Sequence, residues 1–392
     1  MRSRLLVSWT ALAAASSLVT ACGGSALSAD SAGSGAKSVT VGVLVPKSGV
    51  YVPLGTDMEN GFKLYLKEHG NKLGGHDIDV KVVDEGAGPE TGVPAAQSLA
   101  QDESVSAVVG IVNSAVVLGA KDAFNEAKKP LIVANAGADA ITGAAASDYV
   151  WRTSFSNSEA AGAIGGHVAK EVNGGGVFLI ASDYTAGKEF LGGFEKTFTA
   201  AGGKIAGQQM TPFGKTTNYQ PYISAIRKSG AKAVFAFYSG AEAVAFVKQY
   251  KEFGLAGQVQ LYSTGFLTEG SVLKAQGEAA LGIQTSLHYS AELDNPRNKA
   301  FVEAYTKAFG STPSVFSVQA YDAAAALDKA FTKGTSGAQI VEGLKAVAEI
   351  DSPRGAWSFS DKHGPAQNYY LRTVTAKGGV LVNAVDRELT KP

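Results

Sequence analysis

From Ser38 to Asn135 the chain alternates between two kinds of segment: SVTVGVLVP, GTDMENGFKLYLKEHG, DIDVKVVDEG, ETGVPAAQSLAQDE, SAVVGIVN, SAVVLGAKDAFNEAKK and PLIVAN. The odd members are short runs of Val, Ile and Leu bounded by Gly or Pro, which read as strands covered on both faces. The even members carry apolar residues three and four apart, the spacing of an amphipathic helix. Strand–helix–strand units with such strands fold as a parallel sheet with helices on both sides. After WRTSFSNSE the pattern restarts with VFLIASDY, KEFLGGFEKTFTAAG, KIAGQQM, YQPYISAIRKSG, AKAVFAFYSG, AEAVAFVKQYKEFG and VQLYSTG. No Pro/Gly-rich linker separates the two series, so two α/β lobes joined by their own strands are expected. Helical NPRNKAFVEAYTKAFG, PSVFSVQAYDAAAALDKAF and AQIVEGLKAVAE follow, then a β-rich tail from WSFSDKHG onward.

The N-terminus has another character. MRSR is a basic head, LLVSWTALAAASSLVTA an apolar core, and Cys22 is the only cysteine of the chain. This is the plan of a secretory signal, and a lone thiol forms no internal disulfide. Val19, Thr20, Ala21 and Cys22 resemble the lipobox of bacterial lipoproteins, which implies a signal peptide over residues 1–21 and a lipid anchor on Cys22. An ordinary signal beside an incidental cysteine is the competing reading. Residues 22–37 are mostly Gly, Ser and Ala, too poor in apolar surface to fold, and read as a lipidated flexible tether.

With Arg2 and Arg4 removed, 33 basic residues face 35 acidic ones. Such a balance offers no field for nucleic acid. AVVGIVNSAVVLGA, residues 107–120, is too short to span a bilayer. The five histidines stand apart, without HExxH spacing, and no GxSxG elbow occurs, so neither a metal, a cofactor nor a catalytic residue is expected. GKTT at residues 214–217 lacks the glycine a phosphate loop needs at Gln209 and reads as a solvated loop.

In a doubly wound sheet ligands bind beyond the carboxyl ends of the strands, where helix N-termini present free N–H groups. IVNSAV puts Asn113 or Ser114 at such a helix start, as a ligand group or as a plain cap. NAGAD, residues 135–139, allows either close approach of a ligand to the backbone or a tight turn. ASDYTAG, FYSGAE and STGF hold the corresponding places in the second lobe, where Tyr184, Tyr238 and Phe266 are either a facing wall or core aromatics.

VGVLVPKSGVYVPLG, VVGIVNSA, PLIVANAGAD, WRTSFSN, SDYTAGKEFLGGFEKTFTAAGG, the KQYKEFGL helix end and SVQAYDAAAAL follow one another in a telling order. With them the chain resembles the extracytoplasmic solute-binding receptors of ABC importers, of the branched-chain amino acid (Leu/Ile/Val) binding type. The resemblance implies a type I periplasmic-binding fold, two doubly wound α/β lobes joined by three crossovers. Lobe one would take residues 38–155 and 288–360, lobe two residues 156–287 and 361–392, closing on a solute by a hinge.

It further implies that Ser114 and backbone groups of Asn135, Ala136 and Gly137 hold a ligand carboxylate, Gly137 standing where a threonine hydroxyl usually helps. In the second lobe the stacking tyrosine of the family falls near Ala186, with Tyr184 and Asp183 beside it, and a second contact falls near Ser239. The acid that pairs with an α-ammonium falls at Gly265. The expected solute is a small carboxylate-bearing molecule, an amino acid or an apolar or aromatic acid; glycine offers no such pair, which favours an acid without an obligatory ammonium, Asp183 being the local substitute acid. Tyr51, Phe266 and Phe316 complete the expected lining, and small residues at Gly137, Ala186 and Gly265 leave room for a bulkier ligand. The expected partners are a small-molecule solute and an ABC permease, with no nucleic acid. The protein is expected as a monomer on the outer face of a bacterial cytoplasmic membrane, held there by the lipid alone. A ligand-sensing domain of the same fold competes with this, although no transmembrane or signalling segment follows residue 392; a secreted enzyme lacks a catalytic constellation.

Overall fold

The strands fall into two large sheets in a computed structural model that describes residues 38–49, 51–144 and 146–389. The signal peptide, the tether and Cys22 lie outside the described residues. The first sheet holds β1 (Val39–Val45), β2 (Lys72–Leu73), β3 (His76–Asp84), β4 (Val105–Gly110), β5 (Leu131–Val133) and β6 (Val150–Arg152), in the order β2-β3-β1-β4-β5-β6. All its pairings are parallel except the short β2–β3 hairpin. Val43 sits between Val82 and Val109 in register. Alternate side chains of β1 serve different cores: Val41, Val43 and Val45 face α1 (Val52–Glu68), while Leu44 faces α2 (Pro89–Gln101) and α3 (Ser114–Glu126). Two-sided burial is the reason β1 is mostly Val and Leu, whereas β3, nearer the edge, alternates half-buried and exposed residues.

The second lobe begins with α4 (Asn157–Val172), β7 (Gly176–Asp183), α5 (Thr185–Ala200), β8 (Lys204–Pro212), α6 (Gln220–Ser229) and β9 (Ala233–Phe237). It continues with α7 (Gly240–Glu252), β10 (Gln260–Thr264), α8 (Ser271–Gln276) and β11 (Gln284–Leu287). The chain then returns to the first lobe as α9 (Pro296–Phe309), α10 (Val315–Phe331) and α11 (Gly337–Lys345), followed by the small pair β12 (Ser358–Phe359) and β13 (Pro365–Ala366). It ends as β14 (Tyr369–Lys377) and β15 (Val380–Leu389), antiparallel additions to the second sheet, whose order is β15-β14-β11-β10-β9-β7-β8. Several helices start on a proline in the first turn, where its missing N–H has no intrahelical partner, as at Pro89, Pro221 and Pro296. Helices α6 and α9 end on left-handed glycines, Gly230 and Gly310.

Three segments cross between the lobes: 153–156, 288–295 and 367–368. The first and third are bound together by the buried Arg354. Its guanidinium donates to the carbonyls of Thr153 (2.7 Å) and Ser154 (3.3 Å) and to Gln367 Oε1 (2.6 Å), and its Nε lies 2.8 Å from Asp322 of α10. Asp322 also accepts from Ser352 and the Trp357 indole. One residue turn earlier on α10, Gln319 accepts at its carbonyl from Thr153, while its side chain contacts His288 on the second crossover.

Residues 361–366, expected in the second lobe, stay on the first. The Arg152 N–H donates to the His363 carbonyl (2.9 Å), and the His363 ring stacks on Trp151 at 3.9 Å. The crossover therefore follows Ala366.

The pairing of α1 with α10 needs Gly61. A Cβ there would overlap the Ser317 backbone carbonyl, and backbone does not yield as a side-chain tip does. Gly61→Ala is expected to lower stability by about 1–3 kcal/mol through overpacking, in spite of the roughly 1 kcal/mol that alanine adds to an isolated helix. A thermal midpoint equal to or above wild type would contradict this contact.

Candidate ligand-binding site

The carboxyl ends of β4 and β5 face those of β7, β9 and β10 across a cavity of about 250 Å³. A dry cavity of about 150 Å³ already takes up benzene, so this one has room for a ring and a substituent. None of its lining side chains is charged.

One end is polar. Asn113 is the N-cap of α3 and accepts from the Ala115 N–H (2.9 Å), which leaves Ser114 as the first helical residue. The Ser114 hydroxyl accepts from the Ala138 N–H (3.0 Å). A hydroxyl that accepts at its lone pair keeps its own proton to donate, here to an acceptor in the cavity. Asn135 is buried and donates to Gln319 Oε1 (2.8 Å), with its carbonyl oxygen outside that bond. The Gly137 carbonyl accepts from the Asn157 N–H (2.8 Å).

The long wall is aromatic. Phe266 packs on Phe155 (4.6 Å between ring centres) and, more loosely, on Phe316 (6.2 Å), while Phe190 stacks on Phe237 (3.9 Å). The Tyr51 hydroxyl sits beside Ser239 and Tyr184. Burial and the nearby Glu242 push Tyr51 up to about 12, so its hydroxyl remains a proton donor at neutral pH. Ala186 adds a small apolar surface.

Ten of the expected residues thus meet at one cavity: Tyr51, Asn113, Ser114, Asn135 and Gly137 from the first lobe side, with Tyr184, Ala186, Ser239, Phe266 and Phe316. Three do not. Ala136 is buried in the core behind β5, and its N–H is taken by the Ile111 carbonyl (2.9 Å). Asp183 is exposed and lies 3.0 Å from Lys188, outside the cavity. Gly265 is small for a different partner: a Cβ there would overlap the Arg372 guanidinium and Leu287. Arg372 itself is buried and paired with Glu269 (2.9 Å). Gly137 gives no extra room either, since Phe155 and Asn157 fill the space a side chain would take.

Phe155, Phe190, Phe213 and Phe237 are lining residues that sequence reasoning missed. Alternation along β9 carried the signal for one of them. Tyr238 turns away from the cavity, to Tyr219 and Phe246 in the opposite core, so its neighbour Phe237 must face the ligand side.

Glu85 stands immediately behind the polar end, accepting from the N–H groups of Val112 (2.8 Å) and Asn113 (2.7 Å). Among the described residues no cation pairs with it. Burial pushes its carboxyl up to about 7, against the pull of those two N–H groups. A carboxyl whose folded value is raised binds its proton more tightly folded than unfolded, so its contribution to stability falls as pH rises from about 4.5 to about 7, by roughly 3 kcal/mol at most. Glu85→Gln removes this titration. The thermal midpoint of wild type relative to Glu85→Gln is expected to fall between pH 5 and pH 8; a difference constant across that range would contradict it.

Two doubly wound sheets joined by three crossovers, with a cavity at the facing strand ends and, among the described residues, no charged group in its wall, define a two-lobed binding protein with the type I periplasmic-binding fold. The chain belongs to the periplasmic binding protein family, whose pattern it matches over residues 38–379. Leu/Ile/Val-binding protein homolog 6 of Brucella melitensis biotype 1 is 34% identical over 356 residues, 88% of this chain and 90% of that protein. An ABC transporter solute-binding protein from R. palustris, solved in complex with benzoate, is 36% identical with a TM-score of 0.82, over 91% of this chain and 98% of its own. A second one from R. palustris, in complex with 4-hydroxybenzoate, is 31% identical with a TM-score of 0.84, over the same shares of the two chains.

Proposed function

We propose that this protein is the extracytoplasmic solute-binding component of an ABC importer and that its solute is an aromatic monocarboxylate. The observation that carries the reading is the cavity wall: buried phenylalanine rings along its length, neutral donors at one end and no charged side chain. The ring of the solute would lie against Phe155, Phe190, Phe237 and Phe266, and its carboxylate would accept from Ser114 at the start of α3, where the helix dipole favours negative charge. An α-ammonium would be left without an acid in a closed, low-dielectric space, which is costly. The benzoate and 4-hydroxybenzoate complexes of the R. palustris proteins support the same chemistry. The two lobes, the first with residues 38–155 and 288–366, would open and close about the three crossovers. The protein would work as a monomer delivering its solute to a permease.

Isothermal calorimetry of benzoate against phenylalanine and leucine tests this. Benzoate is expected to bind, both amino acids to bind at least about 100-fold more weakly, and Ser114→Ala to cost benzoate about 1.5–3 kcal/mol. Preference for an amino acid, abolished in Asp183→Asn, would overturn the reading and make Asp183 the ammonium partner.

Anchoring belongs to the same proposal. Cys22, behind Val19, Thr20 and Ala21, would carry lipid and hold the protein at the outer face of the membrane. In fractionated cells Cys22→Ser is expected to move the protein from the membrane to the soluble extracytoplasmic fraction; retention in the membrane would refute the anchor.

A further inference from the structure

Among the residues lining the cavity, Ala115, Thr185 and Phe213 are exposed and frame its mouth. Only Phe213 brings a ring there, with 40% of its surface open to solvent. Its placement is set locally. The Lys215 N–H donates to the Pro212 carbonyl (3.3 Å), closing a four-residue turn whose third residue, Gly214, has φ +69°. Positive φ at that place marks a type II turn, which glycine adopts without steric cost. The Gly214 N–H donates to Glu242 Oε1 (2.9 Å), and the other oxygen of Glu242 accepts from Ser182 (2.7 Å). Glu242 is thus a positioning residue that ties the turn to the end of β7 and the start of α7. Phe213, second in the turn, lies nearly flat on Tyr184, with ring centres 4.3 Å apart and planes 24° apart. The GKTT stretch belongs to this turn and the loop that continues it.

We propose that Phe213 is the specificity-determining gate of the cavity, closing its mouth over the bound ligand and setting both the size of ring system admitted and its residence time. The proposal rests on the reading that an aryl carboxylate is held at Ser114. Ser114 accepts from Ala138 and Gly137 from Asn157, whereas Phe213 lies on Tyr184, which sits with Ser239 beside the Tyr51 hydroxyl. The remaining lining phenylalanines are packed into the core and cannot leave without opening a void. Phe213 has solvent behind it and can swing aside.

The test measures equilibrium binding and stopped-flow release of benzoate and 4-phenylbenzoate by wild type, Phe213→Ala and Phe213→Tyr. Wild type is expected to hold benzoate and reject 4-phenylbenzoate. Phe213→Ala is expected to release benzoate about tenfold faster, the scale of one stacked aromatic pair, and to gain 4-phenylbenzoate. Phe213→Tyr keeps the ring and is expected to match wild type. Phe213→Leu, which keeps apolar bulk without a ring, is expected to follow Phe213→Ala and provides the comparison should the alanine variant melt early. Unchanged release and an unchanged affinity ratio in both ring-less variants overturn the gate alone. Failure of wild type to bind either acid overturns the functional reading, and the gate with it.

Discussion

Arg354 and Asp322 form the buried ion pair on which the two-lobed arrangement depends. A guanidinium taken out of water is costly unless it is paired, and here its two terminal nitrogens donate to the backbone of one crossover and the side chain of another while a carboxylate of α10 lies beside its Nε. The planar fork of arginine suits this, offering several donors in fixed directions. Losing either charge would strand the other in the core, so the pair constrains residues 153–154, 322 and 367 together. Two of the three hinge strands thus share one fastening and cannot bend independently of each other.

The cavity is arranged on the opposite principle. Charges are kept one layer back: Glu85 behind the start of α3, Arg372 behind Gly265, Glu242 behind the Phe213 turn. What reaches the ligand is neutral, namely a serine hydroxyl, amide groups, two phenols and a set of phenyl rings. On the proposed reading, shape and hydrogen-bond direction would discriminate between solutes, and the charge of a carboxylate would be matched by oriented dipoles instead of a salt bridge.

The two lobes were legible in the sequence because two-sided strands and amphipathic helices leave different periods. Ser114, Asn135 and Tyr184 were legible because strand ends and helix starts are marked by small and polar residues. The glycines were harder to read. Gly137 and Gly265 look like vacancies left for a ligand, yet Phe155 and Arg372, distant in sequence, occupy both. Asp183 and Phe237 failed for a related reason: at the end of a strand one residue decides between solvent, core and cleft, and only the three-dimensional register fixes which. Residues 361–366 were misplaced because the β12–β13 pair is too short to carry a periodic signal.

The pairing of α1 with α10 has a consequence for the order in which the molecule can assemble. Tyr65 and Asp328, joined by a hydrogen bond of 2.8 Å, are 263 residues apart in the chain. Met58 and Phe62 share their core with Val318 and Leu327, so that face of the first sheet stays uncovered until the second lobe has been made as far as β11. Contacts of such sequence separation slow folding and leave apolar surface open to misassociation in the meantime. The earliest part of the chain to be synthesised is therefore among the last to be sealed.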